Sequence, residues 1–236
     1  MIPDIPSQLA LSVGLRDDAT FDNFYAGQNN QAKIAVANLA ASYRQGDEHF
    51  IYLWGVEGVG CTHLLQAACQ VTDSGEASFY LPLDEVVDYG PEVLVGLESF
   101  DLLCLDHIDC IAGNEVWEEA LFHLFNRIRD NGSRLLIASN QPAKQLPVKL
   151  QDLSSRLSWG VVYQVVALAD GEKAEALRLR ARARGINLGE DVVQFILHRS
   201  PRQMSKLYSI LEQLDRASLA AKRKITIPFV KETLDW

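Results

Sequence analysis

Apolar residues recur at helical spacing from Asn29 to Tyr43 and then gather into a β-type run, Phe50 to Trp54, that ends at Gly55. Thr62 to Val71 returns to helical spacing. Phe79 to Leu83, Leu102 to Leu105 and Leu135 to Ala138 read as three further short strands, with an amphipathic helix over Glu115 to Asp130 before the last of them. Val161 to Val166 reads as a fifth strand. Strands that alternate with helices predict a parallel sheet covered on both faces.

Beyond about residue 168 the β signal fades. Asp170 is expected to cap a helix that runs through Arg184 and stops at Gly185. Further helices are predicted over about 189–199 and 201–221, and ITIPFVKETL predicts an extended piece followed by a helix with Pro228 in its first turn. At the other end, residues 1–20 carry few large apolar groups, with Pro3, Pro6, Asp17 and Asp18, and read as a flexible arm. The expected organisation is an arm over 1–20, an α/β base over 21–168 and an all-helical lid over 169–236.

Composition narrows the functions this organisation can serve. With 236 residues, 48% of them hydrophobic, the chain can bury a substantial core. A net charge of −9 repels phosphate backbones, so any DNA contact must be local or made by a partner, and a general DNA-coating role is not expected. Cys61, Cys69, Cys104 and Cys110 form no CxxC pair and lie among apolar neighbours, which fits packing roles in a reducing compartment for all but Cys61. No cationic leader precedes the opening MIPDIPSQLALSVG, and no 18-residue apolar run occurs, so a cytoplasmic protein without a membrane anchor is expected. The arginines of LRLRARARG fall on several helix faces, because alternate positions are about 200° apart, and read as a solvated surface. Lys222, Arg223 and Lys224 read as a helix C-terminal cluster.

The candidate chemistry begins where the first strand gives way to a helix. Gly55 to Thr62, GVEGVGCT, matches GxxxxGK[ST] except that Cys61 stands in place of the lysine. Gly55, Gly58 and Gly60 let backbone N–H groups turn inward around a phosphate, and the following helix points its positive end at the same place. Thr62 would supply a hydroxyl to Mg²⁺. A plain glycine-rich turn is the alternative, but the strand-loop-helix setting favours a nucleotide. A neutral thiol cannot follow the β- and γ-phosphates with a charge, so binding through amides can persist while hydrolysis fails. Asp106, at the end of the third strand, sits where such sheets place a metal-organising carboxylate. His107 follows it, and Asn140 follows the LLIAS strand in an Asn-Gln-Pro sequence that also reads as an ordinary turn.

These residues together resemble the DnaA branch of the AAA+ ATPases over nearly the whole chain. TFDNFYAGQNNQ, Thr20 to Gln31, resembles the segment that opens the DnaA core and lines the base pocket, with Phe21 and Phe24 as apolar anchors. The resemblance implies nucleotide contacts from Gly55, Gly58, Val59, Gly60, Cys61, Thr62 and His63, with Asp106 and Asn140 beside them. LSSRLSWGVVYQV resembles the box that carries an arginine finger, which puts that role on Arg156. RSPRQMSKLYSILEQLD resembles the lid helix that senses phosphate, with Arg202 facing it. In this family the residue after the metal carboxylate is acidic and polarises the attacking water; His107 cannot do so. SQLALSV is similar to sliding-clamp-binding peptides, with Gln8, Leu9 and Leu11 in the matching positions.

The resemblance implies an α/β AAA+ P-loop fold with a helical lid, and a regulator of replication initiation in place of an efficient ATPase. Arg156 would act in trans on ATP held by the DnaA initiator. A nucleoside diphosphate, expected to be ADP, would be this chain's own ligand, with Mg²⁺ at Thr62 and Asp106 if a metal accompanies it. Gln8 to Leu11 would tether the chain to the DNA polymerase III sliding clamp, so that DNA contact is mainly indirect. DnaA itself continues into a helix-turn-helix domain, whereas this sequence runs only to Trp236, so origin binding is not expected. A helicase-loader or clamp-loader adaptor, a self-sufficient P-loop ATPase, and a homodimer all stay open.

Overall fold

The computed structural model of the protein describes residues 19–41, 49–71 and 76–236. Within them the chain forms α1 (Asn30–Ala41), β1 (Phe50–Trp54), α2 (Cys61–Val71), β2 (Ser78–Pro82), α3 (Leu83–Val86), β3 (Leu102–Asp106), α4 (Glu115–Asn131), β4 (Arg134–Ser139), α5 (Gln151–Leu157) and β5 (Val161–Gln164). It continues as α6 (Asp170–Ala183), α7 (Glu190–Arg199), α8 (Met204–Ala221) and α9 (Ile227–Leu234). All five strands are parallel, in the order β2-β3-β4-β1-β5.

The strand sequences are apolar almost throughout because both faces of the sheet are covered. Phe50, Tyr52, Leu103, Leu105, Leu135 and Ile137 point to one side, into a core completed by Trp117, Leu121, Leu124 and Phe125 of α4 and by Leu153 and Leu157 of α5. Their neighbours Ile51, Leu53, Leu102, Cys104, Leu136 and Ala138 point to the other side, against Val36 of α1 and Leu64 and Leu65 of α2. This is the two-residue alternation of a pleated strand. β5 is an edge strand, and its outward side chains are half-exposed or exposed.

Helices α6 to α9 enclose a separate core of Leu177, Val193, Ile196, Leu207, Leu211 and Val230. Gly185 stops α6 in the left-handed conformation at φ 74°. Thr226 Oγ1 accepts from the Phe229 amide at 3.4 Å to cap α9, with Pro228 in its first turn.

Several details depart from the sequence reading. The cap of α6 is Ala169, not Asp170; Asp170 is the first helical residue, and Glu172 accepts from the Ala169 amide at 2.8 Å. Cys110 is exposed and does not share the packing of Cys69 and Cys104. Arg180 is not solvated: it is 2% exposed, on the stripe formed with Ala176, Leu177 and Ala181. The sequence predicts no helix where α5 forms, over Gln151–Leu157. Gln8, Leu9 and Leu11 lie outside the described residues.

Candidate functional site

The glycine loop leaves the C-terminal end of β1 and runs into α2. At Gly55 a Cβ would lie 2.3 Å from the Val165 carbonyl oxygen, so only glycine lets the end of β1 pass this close to the chain after β5. Its amide donates to the Ser139 carbonyl at 3.1 Å, which ties the loop to the end of β4. Gly58 and Gly60 have φ of 83° and 112°, conformations that L side chains rarely adopt. The Val59 amide donates to Val56 O at 3.3 Å, whereas those of Gly58 and Gly60 have no protein acceptor among the described residues. Unmatched amides beside the start of α2 suit a phosphate.

The segment before α1 straps this loop from outside. The Phe24 ring is buried and packs so closely on Gly60 that a Cβ there would approach it to 2.8 Å. His63 lies 5.4 Å from the Phe24 ring, centroid to centroid, and its Nε2 is 2.9 Å from the Thr20 carbonyl oxygen. Phe21 packs on the same core, half-buried. Asn29 clamps Val166 from both sides, accepting from its amide at 2.8 Å and donating to its carbonyl at 3.0 Å.

Cys61 is half-buried in the position of the absent lysine. Burial, and then the Asp106 carboxylate, pushes its thiol up to about 12, so it is neutral at physiological pH and supplies no cation. Asp106 is buried and internally engaged. Its Oδ2 accepts from the Tyr80 hydroxyl at 2.9 Å and its Oδ1 from the His107 amide at 3.0 Å. Burial, reinforced by Asp106, holds the Tyr80 phenol well above its ordinary range, so Tyr80 stays a donor. His107 has φ 56° and places Nε2 3.8 Å from Asp106 Oδ2. No group of three or more His, Cys, Asp or Glu able to hold a metal occurs among the described residues.

Asn140 is organised by Asp109, a residue to which the sequence reading gave no role. Asp109 accepts from the Asn140 amide at 3.0 Å, from its Nδ2 at 2.8 Å and from Ser139 Oγ at 3.1 Å. In the lid, the start of α8 overhangs the loop, with Ser205 Oγ 3.7 Å from where a Cβ on Gly58 would stand. Arg202 is 78% exposed and donates to Asp170 at 2.9 Å. Lys173, and then Arg202, hold the Asp170 carboxyl below its ordinary range. Arg180 reaches Asn23 Oδ1 at 3.3 Å and lies 5.1 Å over the Tyr208 ring, which joins the lid to the segment that carries Phe24.

Arg156 lies elsewhere. It is half-buried near the C-terminus of α5, and the chain after it reaches Gly160, where a Cβ would meet Phe50 at the start of β1. β1 is 5 residues long, which separates its two ends by on the order of 13 Å. Arg156 is therefore at the opposite end of the sheet from the glycine loop. With Phe122, Asp152, Ser155 and Trp159 it lines an open cleft of about 470 Å³.

Residues 15–81 and 93–164 match the family described as the bacterial DnaA ATPase domain; they make up more than half of the chain, which belongs to that family. Residues 170–234 match the Hda lid-domain family. The fold is similar to that of domain III of the replication initiation protein DnaA from Thermotoga maritima, with a TM-score of 0.79 and 22% identity over 94% of this chain and 98% of that one. It is also similar to AMPPCP-bound DnaA from Aquifex aeolicus, with a TM-score of 0.69 and 23% identity over 84% of this chain and 65% of that one. The RuvB Holliday junction branch migration motor of Thermotoga maritima gives a TM-score of 0.62 at 16% identity, over 89% of this chain and 68% of that one. The chain thus has the DnaA-like AAA+ fold, a parallel sheet followed by a helical lid. No helix among the described residues is long and apolar enough to cross a membrane.

Proposed function

We propose that this chain regulates replication initiation by promoting hydrolysis of ATP bound to DnaA, with Arg156 as an arginine finger acting in trans. The observation that carries the reading is the location of Arg156, at the far end of the sheet from its own glycine loop and open to a cleft. A guanidinium there cannot serve its own nucleotide, but it is available to a neighbouring subunit's. Such a finger stabilises charge in the transition state and can contribute about 10³–10⁵ in rate.

The chain's own site is suited to holding nucleotide without turning it over. The amides of Gly58 and Gly60 and the Thr62 hydroxyl would hold a nucleoside diphosphate, with Phe21, Phe24, Val59 and His63 around it and Arg202 in the lid above. Aquifex aeolicus DnaA, a similar fold, carries the triphosphate analogue AMPPCP. Here the neutral Cys61 removes the charge that would favour a γ-phosphate, and His107 replaces the acid that would polarise water, so ADP is the expected ligand. Mg²⁺, if it accompanies the nucleotide, would take Thr62 and Asp106. Tethering to the sliding clamp through Gln8, Leu9 and Leu11 would raise the local concentration on replicated DNA without new chemistry.

The test incubates the full chain with ATP-bound DnaA and DNA-loaded clamp and follows ATP hydrolysis. Strong stimulation is expected, lost in Arg156→Ala and weakened in Gln8→Ala. No stimulation by the intact chain under these conditions rejects the proposal.

A further inference from the structure

Arg156 is held by a ring and not by a carboxylate. Among the described residues its guanidinium makes no hydrogen bond and no ion pair, although Asp152 lines the same cleft. Its contact is with an aromatic face: the guanidinium carbon lies 5.1 Å from the centroid of the Trp159 ring, within cation–π range. Arg127, Arg129, Arg178, Arg202 and Arg216 instead pair with carboxylates, Arg223 both pairs with Glu232 and lies over Phe229, and Arg199 lies over Phe195.

Trp159 is itself 62% exposed, a large ring left at the surface. Its backbone is fixed. The Trp159 amide donates to Arg156 O at 3.0 Å, and the next residue, Gly160, is so close to Phe50 that a Cβ would lie 2.3 Å from that ring. A carboxylate in place of the ring would restrain Arg156 by engaging the same in-plane N–H groups that must later meet a phosphate. An indole restrains the flat face and leaves the five in-plane donors free.

We infer that Trp159 is the positioning residue of Arg156, carrying the guanidinium over its ring so that the N–H groups stay available to the phosphates of a nucleoside triphosphate bound by a partner AAA+ subunit. This rests on the trans reading of Arg156. Trp159 does not touch the reacting atoms. It narrows the arginine's rotamers before the partner arrives and keeps the cation unneutralised.

The experiment titrates the full chain and its variants into ATP-bound DnaA with saturating DNA-loaded clamp and separates the maximal rate from the half-saturating concentration. Trp159→Ala is expected to lower the maximal rate about fivefold, the scale of an exposed cation–π contact, with half-saturation moved less than about twofold. Trp159→Phe should recover most of the loss, and Trp159→Ala should add nothing to the defect of Arg156→Ala. In the free chain, the Arg156 Nε–Hε resonance should be shifted by the indole ring current and return toward the unstacked position in Trp159→Ala. An unchanged maximal rate in Trp159→Ala, an effect confined to half-saturation, or a resonance that does not move overturns the inference. If Arg156→Ala abolishes stimulation while Trp159→Ala leaves the maximal rate intact, the inference fails alone. If Arg156→Ala leaves stimulation intact, the trans reading fails and the inference with it.

Discussion

The carboxylate of Glu118, wholly buried in α4, accepts a hydrogen bond at 2.8 Å from the amide of Leu150, the residue that caps the helix carrying Arg156. It also accepts from the amides of Lys149 at 3.0 Å and Gly113 at 2.6 Å. A single side chain thus pins the entry to α5 and the entry to α4.

Removing that acceptor leaves backbone donors buried without partners, at about 1–3 kcal/mol for each group that water cannot reach. Glu118→Ala is expected to destabilise the chain by about 3 kcal/mol, which for a protein of this size lowers the melting temperature by roughly 6–12 °C. Glu118→Gln keeps one acceptor oxygen but turns an NH₂ toward donors, so it should fall between the two. Thermal unfolding of the three proteins checks this; a Glu118→Ala melting point within about 2 °C of the parent would contradict it.

The glycine loop gives a second prediction. Restoring the missing cation by Cys61→Lys should raise ATP affinity about tenfold, equivalent to about 1.4 kcal/mol, with less gain for ADP because the charge acts near the β- and γ-phosphates. Hydrolysis by the chain alone should stay low, because His107 still follows Asp106. Calorimetric titration with each nucleotide and a single-turnover assay separate the two outcomes. Equal gains for ADP and ATP would contradict the assignment of position 61.

Much of this architecture is written locally. The strands are legible because each is a short apolar run bounded by turn residues, and the loop because Gly55, Gly58 and Gly60 are spaced for backbone donors. What escapes the sequence depends on distant partners. α5 offers only Leu153 and Leu157 as apolar periodicity and is anchored by Glu118, more than thirty positions earlier. Arg180 stands in a run of arginines that looks solvated, yet Ala176, Leu177 and Ala181 place it on the buried stripe, facing Asn23. Asp109 resembles any turn acid until the fold brings Ser139 and Asn140 against it. Trp159 follows Arg156 by three residues but stands beyond the end of α5, so their contact depends on the turn in which the Trp159 amide bonds to Arg156 O.

Asp109 should therefore matter for the nucleotide site without touching nucleotide. Asp109→Ala releases the Asn140 side chain and removes three hydrogen bonds, so a loss of about 2 kcal/mol in stability is expected, with weaker nucleotide binding. Asp109→Asn keeps one acceptor and should retain part of both. Denaturant unfolding and nucleotide titration are the measurements, and unaltered affinity in Asp109→Ala would show that the position of Asn140 is immaterial to binding.

The cysteines make the last prediction, on pH. An ordinary thiol titrates near 9, whereas burial raises Cys61 to about 12, Cys110 to about 11 and Cys104 well above its usual range. All three shifts are upward, so the folded chain keeps these protons at pH values where the unfolded chain has lost them. Their contribution to stability is complete below about pH 9 and is lost as pH rises from there through 11 and 12. The same shifts govern reactivity, because the thiolate is the nucleophile. At pH 8, alkylation of Cys61 in the native chain should be roughly a thousandfold slower than that of a free thiol, and Cys110, exposed and less raised, should be labelled first. Mass spectrometry after timed iodoacetamide exposure resolves the sites, and the Cys61 rate should climb about tenfold per pH unit while its thiolate fraction grows. Labelling of Cys61 at pH 8 as fast as a free cysteine would mean that its thiol titrates in the ordinary range and that burial does not hold the proton at position 61.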